Sequence, residues 1–143
     1  MIILDVNILI YAVNQDAPLH SRVSSWLEER LSGGTETTGI PWTVLLAFLR
    51  LTTRAGLFRN PMPLNISFDL IDGWLEQPTV LVIEPGPRHG AILRALLAAV
   101  GTAGNLTSDA HLAALAIEYG AELCSCDRDF DRFPGLRWRN PLA

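Results

Sequence analysis

Short apolar runs separated by longer stretches of helical periodicity recur along this whole chain, and that alternation predicts an α/β fold with a parallel sheet wrapped by helices. Residues 2 to 5 form the first strand. A helix begins near Pro18 and runs to about Leu31, with Val23, Trp26, Leu27 and Leu31 spaced for one buried face. After a short strand from Thr38 to Ile40, the helix Trp42 to Thr53 is so apolar all round that it belongs in the core or against another subunit. The connector Arg59-Asn60-Pro61-Met62-Pro63 leads to a helix from Ser67 to Leu75 that turns Phe68, Ile71, Trp74 and Leu75 inward. Strand Thr79 to Ile83, helix His89 to about Val100, helix Ser108 to Tyr119 and strand Glu122 to Ser125 follow, with Leu136 to Trp138 as a final edge strand.

Acids punctuate this pattern. Asp5 closes the run Met1-Ile2-Ile3-Leu4 and is followed by Asn7, Asp109 opens the helical stretch to Ala116, and Asp127 follows Leu123-Cys124-Ser125-Cys126. In open parallel sheets the ligand crevice lies beyond the carboxyl ends of the strands, so Asp5 and Asp127 are predicted to meet, with Asp109 entering from a helix start. Singly, each has a structural reading as a loop cap, a helix-start residue or a turn residue. Together, three carboxylates within a few ångströms repel one another unless a cation offsets them. Mg²⁺ or Mn²⁺ suits such oxygen ligands, and a metal-held water attacking a phosphodiester is the simplest reaction for such a site.

The basic residues narrow the choice further. All eleven are arginine, and the chain has no lysine. Gly101-Thr102-Ala103-Gly104-Asn105 therefore lacks the lysine of a phosphate-binding loop. A haloacid-type phosphatase with Asp5 as nucleophile would need both a lysine and a second acid where Asn7 stands. A net charge of −4 gives no broad electrostatic grip on nucleic acid, although acids at a metal site account for part of it. Arg128, Arg132, Arg137 and Arg139 gather near the C-terminus, where Arg128 and Arg132 are candidate phosphate contacts beside the alternative of a solvated face. Tyr11 and Trp42 could stack on bases, but their apolar surroundings favour core packing. His111 stands two residues after Asp109 on a helix and points away from it.

At 143 residues the chain fits one domain, residues 1–143, and 49% apolar residues against 18% charged suggests an extra surface buried in an oligomer. No apolar segment approaches the ~18 residues of a membrane span, and the N-terminus does not resemble a secretory leader, so a cytoplasmic location without membrane association is expected. Cys124 and Cys126 lie two apart on one strand face, which predicts free thiols, and with scattered His20, His89 and His111 they form no zinc pattern.

With these residues in place, the chain resembles the PIN-domain ribonucleases of the VapC toxin type. The likeness is carried by Ile3-Leu4-Asp5-Val6-Asn7-Ile8-Leu9-Ile10-Tyr11, by Leu106-Thr107-Ser108-Asp109-Ala110-His111-Leu112 with Ala113-Ala114-Leu115-Ala116, and by Ser125-Cys126-Asp127-Arg128-Asp129-Phe130 with Phe133-Pro134-Gly135-Leu136. The resemblance implies a three-layer α/β/α sandwich, cleavage of single-stranded or looped RNA with Mg²⁺ or Mn²⁺, and a homodimer held inactive by a cognate VapB-type antitoxin. It makes Asp5, Asp109 and Asp127 the catalytic metal ligands, and Asn7 and Ser125 the groups that orient them.

One position departs from the family pattern. Most members carry a glutamate where Leu46-Ala47-Phe48-Leu49-Arg50 has Ala47. Asp129 and Asp131 are the nearest substitutes in sequence, and Asp129 is favoured as a supporting residue. The alternative is a catalytically inactive PIN-like module that binds RNA or protein.

Overall fold

The computed structural model describes residues 1–143. Its sheet has five strands, β1 (Ile2–Leu4), β2 (Thr38–Pro41), β3 (Val80–Ile83), β4 (Glu122–Cys124) and β5 (Trp138–Arg139), in the order β3-β2-β1-β4-β5. Every neighbouring pair is parallel, with Ile2 opposite Thr38 on one side of β1 and opposite Glu122 on the other. Helices α1 (Val6–Val13), α2 (His20–Ser32), α3 (Trp42–Thr53) and α4 (Leu64–Leu75) lie in the connections that step outward from β1 to β3. Helices α5 (His89–Val100) and α6 (Thr107–Glu118) then carry the chain back across the sheet to β4. Right-handed connections with this strand order place the first four helices on one face and the last two on the other, giving the α/β/α sandwich.

The central strands read as continuous apolar runs because both of their faces are covered. Ile2, Ile3, Leu4 and Leu123 are all essentially inaccessible, as are Phe48 of α3 and Leu115 of α6. Phe48 meets Trp74 of α4 edge to face, with ring centres 5.0 Å apart. Gly39 in β2 has a packing reason to be glycine: a Cβ there would sit 3.1 to 3.3 Å from the side chains of Ile83 and Ile3. No helix is long and apolar enough to cross a membrane.

Several expectations from the sequence are corrected. The first strand ends at Leu4, and Asp5 caps a helix, α1, that the sequence did not reveal: Ile8, Leu9 and Ile10 are consecutive and all buried, so no polar face marks the 3.6-residue period. Helix α4 starts at Leu64 and not at Ser67, directly after the connector, whose last residue Pro63 is its N-cap. Phe68 of α4 is 40% exposed, while Ser67 beside it is buried against Thr52, their hydroxyls 2.7 Å apart. Trp42 and Leu46 are 44% and 57% exposed, so α3 is buried on one side only and Trp42 is not core. Trp26 of α2 is only partly buried, with the Arg30 guanidinium 5.5 Å above its ring. The final edge strand is Trp138–Arg139, displaced toward the C-terminus from its expected place.

Candidate active site

The strand order reverses direction between β1 and β4: the chain leaves β1 toward β2 on one side and reaches β4 on the other. Such a switch point opens a crevice at the carboxyl ends of the two strands, since the connections diverge from it. Asp5 follows β1, while Ser125, Asp127 and Asp129 follow β4. Asp109 is in the first turn of α6, where the positive helix end faces the same crevice.

Asp5 is held from three directions. Its Oδ1 accepts from the Val6 backbone N–H at 2.7 Å, which caps α1. Its Oδ2 accepts from the Ser125 hydroxyl at 2.7 Å and from Asn7 Nδ2 at 3.3 Å. Ser125 is fully buried and its oxygen also accepts from Asn7 Nδ2 at 3.1 Å and from the Asp127 backbone N–H at 3.0 Å. Asn7 Oδ1 in turn accepts from the Cys126 N–H at 3.2 Å. Asn7 and Ser125 thus join the end of β1 to the loop after β4. Asp127 caps the short 3₁₀ turn Arg128–Arg132, with its Oδ1 accepting from the Asp129 N–H at 2.9 Å.

One oxygen from each of Asp109, Asp127 and Asp129 lies within 4.8 Å of the others. Asp131, the other nearby acid, is turned away and accepts from Trp138 Nε1 at 2.7 Å. The electrostatics match this crowding. Burial pushes the Asp109 carboxyl up to about 6, reinforced by the charges of Asp5, Asp127 and Asp129. Burial also raises Asp5, against the lowering effect of the Ser125 and Val6 hydrogen bonds, and the charge of Asp127 adds to the rise. Cys126 beside them is raised as well, chiefly by burial and then by Asp5, so it is held as a thiol. Both cysteines are free. The donor set is therefore carboxylate oxygen, which fits a hard divalent cation and not a thiolate-seeking one.

The four C-terminal arginines have separate surroundings. Arg132 lies 3.9 Å from Asp129 in an exposed ion pair, and Arg128 lines a different cavity with Asp131, Trp138, Asn140 and Ala143. Arg137 donates to the Gly120 carbonyl at 2.6 Å, and Arg139 lies 3.2 Å from Glu122. His111 turns from the acids to meet His89, with a ring nitrogen separation of 2.9 Å. On the opposite wall of the crevice the resemblance pointed only to Ala47, and sequence reasoning missed Thr43 and Arg50. A cavity of about 220 Å³ is lined by Asp5, Ser108 and Asp109 on one side and by Thr43, Ala47 and Arg50 of α3 on the other. The positions 43, 47 and 50 share one helix face, which was the available signal.

An all-parallel α/β/α sandwich with carboxylates gathered at its switch point defines a class of α/β proteins with an acidic crevice. The PIN domain model matches residues 2–136. The chain belongs to the PIN domain family. It is 45% identical over 143 residues to ribonuclease VapC37 of Mycobacterium tuberculosis, covering 100% of this chain and 99% of the relative. Ribonuclease VapC33 of the same organism is 42% identical over 142 residues, covering 99% of each. Among solved structures, VapBC2 from Rickettsia felis bound to a promoter DNA fragment superposes with a TM-score of 0.70 at 23% identity, covering 98% of each chain. VapBC-1 from nontypeable Haemophilus influenzae gives 0.69 at 19% identity, covering 100% of each.

Proposed function

We propose that this chain is the toxin of a type II toxin–antitoxin pair, a divalent-cation-dependent endoribonuclease that hydrolyses RNA phosphodiester bonds to leave a 5′-phosphate and a 3′-hydroxyl. The observation that carries the reading is the cluster of Asp109, Asp127 and Asp129 at the β1/β4 switch point, with Asp5 outside that group but near enough for its charge to act on Asp109, on a chain 45% identical to ribonuclease VapC37. Asp5, Asp109 and Asp127 are proposed to hold Mg²⁺ or Mn²⁺, with Asp129 supporting. When bound, such an ion would lower the pKa of an attacking water and offset charge on the phosphate.

The chain's own residues do the rest. Ser125, Asn7 and the Val6 N–H fix the Asp5 carboxylate in one orientation, so little ordering is needed when a ligand arrives. Asp109 and Asp127 bring their oxygens within 4.8 Å of each other from different elements, one on a helix start and one on a turn. Burial, reinforced by the neighbouring acids, raises Asp109, and a bound cation would offset this and couple metal uptake to loss of its proton. Arg128 and Arg132 of the adjacent turn are proposed as phosphate contacts at the edge of the site. The whole chain, 1–143, is read as one domain working in the cytoplasm as a homodimer, restrained by a VapB-type antitoxin.

The second reading is an inactive RNA- or protein-binding module, and Ala47 favours it by putting a methyl group where the α3 wall could have carried a carboxylate. Two measurements on antitoxin-free protein separate the two. Calorimetric titration with Mn²⁺ and end-group analysis of RNA products are expected to give metal binding and 5′-phosphate ends. Absence of both would leave the binding module.

A further inference from the structure

Resting on the ribonuclease reading, we propose that Arg50 is a substrate-positioning residue that grips the RNA phosphate flanking the scissile one. Its place in the cavity carries the inference. Of the residues lining the space beside Asp5 and Asp109, Arg50 is the only cationic one. It has no ion-pair or hydrogen-bond partner, whereas Arg30, Arg132 and Arg139 each pair with an acid. An anionic crevice repels a phosphodiester even after one cation has neutralised part of it. A guanidinium on the facing wall supplies the missing attraction and matches two phosphate oxygens at once.

The helix geometry decides which phosphate is gripped. Thr43, Ala47 and Arg50 form one stripe along α3, and seven residues of rise put Arg50 about 10 Å along the axis from Thr43. Ala47, between them, projects only a methyl group, so the space between the acids and Arg50 stays open for the ribose-phosphate chain. Arg50 itself is exposed, at the rim and not among the acids. It therefore holds a neighbouring phosphate and sets the register of the strand, without touching the reacting atoms.

The test compares wild type, Arg50→Ala and Arg50→Lys on one cleavable RNA, with Mn²⁺ calorimetry alongside. A charge-assisted hydrogen-bonding group of this kind contributes about 10- to 100-fold in binding. Arg50→Ala should raise KM by that factor with kcat within about threefold, since equal loss of ground-state and transition-state binding moves KM alone. The salt dependence of RNA affinity should flatten by about 0.7 in log–log slope, the share of one single-strand phosphate. Arg50→Lys should restore the slope and part of the KM, and Mn²⁺ affinity should stay within about threefold in both variants. Wild-type KM and salt slope in Arg50→Ala, or an effect confined to Mn²⁺ affinity, would overturn the role of Arg50 while leaving the ribonuclease reading intact. If wild type itself cleaves no RNA, the ribonuclease reading fails and the role of Arg50 falls with it.

Discussion

The Ser125 hydroxyl donates to Asp5 Oδ2 across 2.7 Å, joining two residues 120 positions apart in sequence. Ser125 Oγ also accepts from Asn7 Nδ2 and the Asp127 N–H, so a single buried oxygen aligns the ends of β1 and β4. The same bond lowers the Asp5 pKa against the rise caused by burial.

Ser125→Ala leaves the Asn7 amide and the Asp127 N–H short of an acceptor in a closed site. Denaturant unfolding should show a loss of about 1–3 kcal/mol, the cost of stranding buried polar groups. Mn²⁺ affinity should drop by about 10- to 100-fold, as for other groups that orient a ligand without touching the ion. Unchanged stability and affinity would mean that Asp5 is positioned by its helix cap alone.

Proton binding at Asp109 gives a pH signature with a defined sign. Its carboxyl rises from 3.8 to about 6 on folding, so the folded chain binds the proton more tightly than the unfolded one. The stability this contributes is present at low pH and is lost as pH rises through about 6. Metal-free Asp109→Asn should therefore be more stable than wild type at pH 7, by about 1 kcal/mol after discounting for its half-exposed position. The difference should vanish near pH 4, and Mn²⁺ should stabilise wild type and not the variant. Urea denaturation in chelator and in Mn²⁺, at both pH values, measures each term.

Asp129 and Asp131 are two residues apart and belong to different environments. Asp129 shares the cluster with Asp109 and Asp127, whereas Asp131 accepts from the Trp138 indole. Asp129→Asn should weaken Mn²⁺ binding by about tenfold, in the range of supporting groups near a metal. Asp131→Asn should leave it unaltered and disturb only the contact with Trp138. Equal effects in calorimetry would show that the 3₁₀ turn is not fixed as described.

The strands and acids were readable in sequence because each leaves a local mark: a buried parallel strand is a short apolar run, and its end is marked by a polar break. Topology alone led to the expectation that Asp5, Asp109 and Asp127 meet, whereas the tight group is Asp109, Asp127 and Asp129, with Asp5 bonded to Ser125 outside it. What escaped was decided by contacts between distant segments. Helix α1 hid inside an apolar run because its burial erases the amphipathic pattern, and Phe68 was assigned inward by a spacing that in fact serves Ser67 and Ile71. Arg50 is marked in sequence only by sharing a helix face with Ala47, and it is the approach of α3 toward α6 and Asp5 that makes it part of a cavity wall.

RNA cleavage by antitoxin-free protein as a function of Mn²⁺, run side by side on wild type, Asp5→Asn and Asp109→Asn with folding checked by circular dichroism, bears most directly on the carboxylates at the β1/β4 switch point. Wild type should cleave with saturable Mn²⁺ dependence, and each variant should fold yet lose at least about 100-fold in rate, the scale of several kcal/mol of lost transition-state stabilisation. Full Mn²⁺-dependent cleavage by a folded Asp5→Asn, Asp109→Asn double variant would contradict the account.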